Sequence, residues 1–201
     1  SCVADGAPLR SIALATREVV DLPVSLLTPA WLAQGPGSHG LILVQGGGRI
    51  VWDEKALAHC DVATGACRTL SQPDDVVSLD PALSPDGNQV AFVRAKRRPG
   101  EWGFASEEAL KEWVGSRTLW LIHPDGTGAR QITAAGGGIY SPAWSGDGRR
   151  LLYVKDGTLW VLDLSTERVQ PVVDLGQPDS LFGFYGQINW WSHRFAWHRP
   201  R

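Results

Sequence analysis

Side chains that could carry out catalysis are scattered along this sequence and form no recognisable set. The run nearest to a serine-hydrolase elbow, residues 35–40, has neither the spacing nor the placement of a Gly-x-Ser-x-Gly motif. No spacing typical of metal ligands occurs among the five histidines, which are His39, His59, His123, His193 and His198. The sequence therefore predicts no catalytic residue, no metal site and no cofactor, and it favours a protein that is not an enzyme.

Two glycine-containing patterns invite a chemical interpretation that their surroundings do not favour. The triple glycine 46–48 follows a predicted strand, but it lacks the Lys-Ser/Thr ending and the helix of a phosphate-binding loop. We expect a flexible or ribbon-like connection there. Asp-Gly pairs at 86–87, 125–126, 147–148 and 156–157 each separate two β-rich runs, where they predict hairpin turns rather than catalytic carboxylates.

These turns belong to a repeated unit, and the repeat predicts the fold. Residues 79–133 show the pattern of four antiparallel strands joined by two Pro-Asp-Gly turns and one long loop. Residues 139–173 repeat the unit, and residues 28–71 repeat it in degenerate form. A sheet meander that recurs at about 40–50 residues is typical of propeller blades. We expect an all-β protein in which Trp120, Trp144 and Trp160 fill the space between blades.

The two ends of the chain are expected to complete one further blade. Residues 9–22 have the pattern of two outer strands, and residues 187–199 that of two inner strands. The prediction is a tether at 1–8 and a single domain at 9–201, a small β-propeller of about four four-stranded antiparallel blades. Two alternatives stay open: weak repeats that the pattern does not reveal, or a ring completed by a second chain.

Composition excludes several classes of partner. The 201 residues are 43% apolar and 20% charged, with a formal net charge of −2, as in an ordinary globular domain. No charge excess points to nucleic acid, and no apolar run approaches the length needed to span a membrane.

The repeat itself resembles a known family. The pattern Pro-Ala-(Trp/Leu)-Ser-x-Asp-Gly, then Leu-Trp with two apolar residues, then Asp-Gly and Gln-Ile-Thr, is similar to the repeat of TolB-type β-propellers. The match is closest at 79–133, good at 139–173 and loose at 28–71. The resemblance implies an envelope protein with a protein–protein role, although propellers as a fold host many activities.

The three cysteines favour a compartment outside the cytoplasm. Cys60 and Cys67 flank a Thr-Gly turn in a predicted hairpin, where facing positions suit a cross-strand disulfide; free thiols and a metal site are the alternatives. Cys2 is left unpaired beside a short polar stretch, which looks like the lipidation site of a bacterial lipoprotein; an incidental thiol is the alternative.

The second blade carries an insertion that the third blade lacks. A short helix is predicted at about 106–114, with Ser106 as N-cap and an apolar stripe that includes Trp113. The stripe either packs on its own blade or faces a partner, and the basic cluster is either solvated or binds an anionic group or an acidic protein surface. The candidate partner-binding residues are Arg94, Arg97, Arg98, Trp102, Phe104 and Trp113.

A second candidate surface lies in the aromatic C-terminal segment. Phe184, Tyr185 and Trp190 fall beside the predicted entry to an inner strand, near the mouth of the propeller channel. They either plug the channel or line a ligand pocket.

The expected function is a non-catalytic protein-binding or scaffold domain in the periplasm or at the cell surface, with an envelope protein as partner. Membrane contact is expected only through a lipid on Cys2. The first alternative is small-molecule or glycan binding at the channel mouth. The second is an enzyme, a lyase or a hydrolase, with a site at the same place.

Overall fold

Three four-stranded antiparallel sheets follow one another along the chain, as the repeat predicts. A computed structural model describes residues 7–26, 32–34, 40–46, 50–70, 72–134, 136–176 and 197. The first blade contains β3 (Leu32–Gln34), β4 (Gly40–Gln45), β5 (Ala56–Asp61) and β6 (Cys67–Thr69). The second contains β7 (Val76–Leu83), β8 (Val90–Lys96), β9 (Thr118–Ile122) and β10 (Arg130–Gln131). The third contains β11 (Tyr140–Trp144), β12 (Arg150–Lys155), β13 (Thr158–Asp163) and β14 (Arg168–Asp174).

The Ser-x-Asp-Gly turns explain why the repeat keeps these residue types. In the second blade, the Ser84 hydroxyl donates to Asp86 at 2.5 Å and accepts from the Gln89 backbone at 2.9 Å. The third blade repeats both bonds, at 2.6 Å from Ser145 to Asp147 and at 2.9 Å from the Arg150 backbone. Each carboxylate thus accepts hydrogen bonds within its own turn, and the bond from the serine hydroxyl holds the pKa of both aspartates below the usual value.

The first strand of the second blade and the first strand of the third blade each contain a bulge that the local sequence does not predict. Asp80 and Ser141 stand immediately before a proline, yet they have φ of 50° and 52°, where an extended backbone is the usual choice. The strand register shifts at both places, between Leu79 and Ala82 and between Tyr140 and Ala143. Proline within a sheet is largely confined to bulges and edges, so the two prolines and the two bulges occur together.

The blades pack face to face through two apolar clusters. One face of the second blade contributes Phe92 to a cluster that contains Ile42, Val44 and Leu57 of the first blade. The opposite face contributes Val93 and Leu119 to a larger cluster that reaches the third blade. Because each sheet buries its faces against its neighbours, the stability of a blade depends on the blade beside it.

An indole contact repeats from one blade to the next. The Trp144 indole N–H in β11 donates to the backbone oxygen of Ala82 in β7 at 2.9 Å. The Trp197 indole N–H donates to the backbone oxygen of Ala143 in β11 at 3.2 Å. Ala82 and Ala143 follow the proline of their repeats, so Trp197 contacts the third blade as Trp144 contacts the second.

The N-terminal segment forms a separate two-stranded hairpin of β1 (Ala7–Ile12) and β2 (Val19–Leu26). The predicted strand, turn and strand at 9–22 are therefore present. Its predicted partner segment, 187–199, lies outside the described residues except for Trp197, so the composite blade stays a prediction.

The predicted disulfide is present. Cys60 and Cys67 stand directly opposite each other across β5 and β6 and are bonded. The bridge closes the hairpin whose turn begins at Asp61.

Candidate functional site

The insertion between β8 and β9 is the largest difference between the blades. Only Asp156 and Gly157 lie between the corresponding strands of the third blade. In the second blade the same connection contains α1 (Glu107–Gly115). Ser106 is the N-cap and accepts from the Ala109 backbone at 3.2 Å, as the sequence predicts. The helix therefore lies in the connection between β8 and β9, the two inner strands of the second blade.

Three aromatic rings hold the insertion against the domain. Phe104 and Trp113 approach Trp52, from the β4–β5 connection, with centroid distances of 4.6 Å and 6.1 Å. Trp52 is 0% exposed and Trp113 is 2% exposed. The Trp113 indole N–H donates to the Lys96 backbone oxygen at 2.9 Å. The apolar stripe of α1 thus packs on the domain, and Trp113 is not available for the surface role considered from the sequence.

The arginines of the insertion do not form the solvated basic cluster that the sequence pattern suggests. Arg94 is 5% exposed, and its guanidinium lies 4.2 Å from the ring centroid of Trp120. Arg97 pairs with Asp53 at 2.7 Å, and Arg98 pairs with Glu101. The Arg98 guanidinium also lies 4.5 Å from the Phe104 ring centroid. The alternative left open by the sequence, binding of an anionic group or an acidic protein surface by these side chains, is not favoured by this geometry.

Asp53 ties the insertion to the first blade. Burial would raise the pKa of Asp53, but hydrogen bonds from Arg97 and from the Gly100 backbone outweigh it and hold the pKa below its usual value. The Gly100 N–H lies 3.2 Å from the Asp53 carboxylate. Because the carboxylate stays ionised, it holds two points of the insertion at neutral pH.

Trp102 stands apart from this interior network. Its side chain is 83% exposed, whereas the neighbouring Phe104 is packed against the core. Among the described residues it is the only aromatic side chain with such exposure. A single apolar residue on a surface is ordinary, but tryptophan is enriched among the residues that dominate protein–protein interfaces.

The sequence did not reveal the partners that hold these residues. Asp53 and Glu101 neutralise Arg97 and Arg98, and Arg117 forms a buried pair with Asp80 at 3.2 Å. The acid–base spacing of the Arg98–Glu101 pair, three residues apart, was the one available signal. The Asp53–Arg97 and Asp80–Arg117 pairs join residues that are far apart in the chain, and no local pattern identifies them.

The other predicted site residues lie outside the described part of the chain. These are the channel-mouth candidates Phe184, Tyr185 and Trp190 and the lipidation candidate Cys2. Within the described residues, no group of three metal-binding side chains occurs. No helix among them has the length and hydropathy to cross a membrane.

Comparisons with known proteins agree with the repeat and the sheet order. No protein-family model matches the sequence. A TolB homolog of Chlorobium luteolum is 28% identical over 141 residues, which are 56% of this chain and 32% of the relative. The crystal structure of TolB from Acinetobacter baumannii aligns with a TM-score of 0.56 and 13% identity, covering 83% of this chain and 38% of that one.

The fold is that of a TolB-type β-propeller. The fold does not by itself identify an activity, because an oligogalacturonate lyase in complex with manganese aligns equally well. That lyase has a TM-score of 0.56 and 20% identity, covering 83% of this chain and 47% of its own. The chain spans about a third of the length of the TolB homolog that it matches, 32%.

Proposed function

We propose that this domain is a non-catalytic protein-binding module and that its docking surface is the β8–β9 insertion with Trp102 as anchor. The observation that carries the proposal is the 83% exposure of Trp102 on a segment whose other aromatic side chains are packed. Burying an exposed indole in a partner's pocket removes a large apolar area from water, and tryptophan is enriched among the residues that dominate interfaces.

Hydrogen bonds beneath Trp102 support the proposal because they fix the loop before binding. The Trp52 indole donates to the Glu101 backbone oxygen at 2.9 Å, and the Arg98 backbone donates to the Trp52 backbone oxygen at 2.8 Å. The residue that precedes Trp102 is thus attached to the core of the domain. A loop that is already ordered loses less conformational entropy when a partner binds.

We propose further that the module acts outside the cytoplasm and that its partner is an envelope protein. The Cys60–Cys67 bridge supports this location because disulfides persist mainly in oxidising compartments. The similarity to a TolB homolog supports an envelope role by analogy. The lipid anchor on Cys2, glycan binding at the channel mouth and an enzymatic site there stay predictions, because their residues lie outside the described part of the chain.

Affinity capture from the solubilised envelope of the source cell tests the proposal. We would compare the unaltered protein with Trp102→Ala and with Val172→Ala, which removes a 54% exposed apolar side chain from β14. We expect the same protein to be retained by the unaltered form and by Val172→Ala, and to be lost with Trp102→Ala. Equal retention by all three forms, or no specific protein, would contradict the proposed surface.

A further inference from the structure

Counted over all its side chains, the insertion is basic, whereas its exposed side chains are acidic on balance. From residue 94 to residue 117 the chain has six basic and four acidic side chains. The basic ones are Arg94, Lys96, Arg97, Arg98, Lys111 and Arg117, and the acidic ones are Glu101, Glu107, Glu108 and Glu112. A partner chosen from the sequence alone would be acidic.

Four of the six basic groups are withdrawn from the surface or neutralised. Arg94 and Arg117 are 5% and 0% exposed, and Arg117 is paired with Asp80. Arg97 has a side-chain exposure of 32% and is held by Asp53, and Arg98 has 18% and is held by Glu101. Arg94 and Arg117 are therefore inside the domain, Arg97 and Arg98 are neutralised by carboxylates, and of the six basic residues only Lys96 and Lys111 are in the exposed class.

The acidic groups are distributed in the opposite way. Glu101 is 44% exposed and Glu107 is 73% exposed, while Glu108 and Glu112 are also exposed. With Glu101 paired to Arg98 and Glu107 paired to Lys111 at 2.9 Å, the other exposed charges of the insertion are Glu108 and Glu112 against Lys96, a balance of −1. Glu107 and Glu108 also stabilise α1, because their negative charges lie at the positive end of the helix dipole. Glu112 lies in the second half of the helix and has no such role.

From this distribution we propose that the partner presents an apolar pocket for Trp102 bordered by lysine or arginine side chains. The inference rests on the proposed function and specifies its partner as cationic, where the sequence pattern favours an acidic surface. Charge complementarity at the rim of an interface contributes mainly to the association rate and to partner choice. The apolar contact of Trp102 would then supply most of the affinity.

Selection from a phage-displayed library of random dodecapeptides tests the proposal with the full chain as bait. The variants are Trp102→Ala, the triple change Glu107→Gln, Glu108→Gln and Glu112→Gln, and the control Glu167→Gln on the β13–β14 turn. Circular dichroism of each variant shows whether the fold is kept. Neutralising three exposed carboxylates should weaken the affinity for a cationic ligand roughly five- to tenfold.

We expect the selected peptides to carry a net positive charge and to contain an apolar residue. Their binding should be lost with Trp102→Ala and weakened by the triple change but not by Glu167→Gln. Peptides that need Trp102 but are acidic or neutral would overturn the cationic partner and leave the proposed function standing. Peptides that bind equally well without Trp102, or no selection at all, would overturn both.

Discussion

Arg117 connects the second and third blades from a fully buried position. Its guanidinium donates to the backbone oxygen of Ile139 at 2.7 Å and pairs with Asp80, whose carboxylate also accepts from the Ser141 backbone at 3.3 Å. Burial lowers the pKa of Arg117, and the neighbouring Asp80 opposes that shift. Such a pair is costly to form, but removing one member leaves the other charge in an apolar interior.

We therefore predict that Arg117→Ala lowers the free energy of unfolding by about 3–5 kcal/mol in urea titrations. The matched control is Arg150→Ala, because Arg150 pairs with Asp163 at 3.6 Å with side-chain exposures of 54% and 30%. An exposed pair contributes at most about 1 kcal/mol, so the control should change little. Equal losses in the two variants would show that the buried pair does not join the blades.

Lys55 supplies a pH-dependent test. Lys55 is only 2% exposed, and this burial lowers the pKa of its ammonium group from 10.5 to about 8, although the charges of Glu54 and Asp53 oppose the shift. Between pH 8 and the pKa of the unfolded chain, the unfolded state binds more protons than the folded one. Stability should therefore rise with pH in this window.

We predict that from pH 8 to pH 10 the unaltered protein gains about 2 kcal/mol of unfolding free energy relative to Lys55→Met. The comparison cancels the titration of the tyrosines, among them Tyr140, whose pKa burial raises to about 12. Parallel curves for the two proteins would mean that Lys55 keeps an ordinary pKa.

At the scale of elements, the insertion divides into an interior part and an exposed part. Trp113 is packed against Trp52 and Phe104, whereas Trp102 is exposed. We predict that Trp113→Ala costs about 3–5 kcal/mol in unfolding free energy, because it leaves a cavity in the core. Trp102→Ala should change stability by less than about 0.5 kcal/mol, as expected for a surface substitution. A large loss in Trp102→Ala would place that ring in the core and remove it as a binding anchor.

Local sequence signals predicted the elements that depend on local chemistry. The Ser-x-Asp-Gly turns, the N-cap at Ser106 and the Cys60–Cys67 bridge follow from residue types at fixed spacing, and all three are present. The direction of the arginine side chains could not be predicted in this way. The direction of Arg97, for example, depends on Asp53, which the first blade brings beside the insertion only after folding.

The bulges before Pro81 and Pro142 were missed for a related reason. A residue before proline is normally extended, so the local rule predicts an uninterrupted strand. In the structure, Asp80 takes φ of 50° and accepts hydrogen bonds from Arg117 and from the third blade. Contacts between blades therefore stabilise a backbone conformation that the local sequence does not favour.

At the scale of the whole molecule, the repeated indole contact supports the predicted composite blade. Trp197 also packs with the Tyr140, Leu152, Val154 and Leu159 cluster on the third blade. We predict that Trp144→Phe and Trp197→Phe each lower the unfolding free energy by about 1 kcal/mol, the net value of one hydrogen bond.

Deleting 187–201 should unfold the domain, as far-ultraviolet circular dichroism would show; a well-folded truncation would mean that these residues complete no blade.

Photo-crosslinking in the source cell measures the proposed contact between Trp102 and a protein partner directly. The photoreactive residue p-benzoylphenylalanine would replace Trp102 in one strain and Val172 in another, since both positions are exposed. We predict a covalent adduct with one protein from position 102 and none from position 172. No adduct from position 102, or the same products from both positions, would contradict binding of a partner through Trp102.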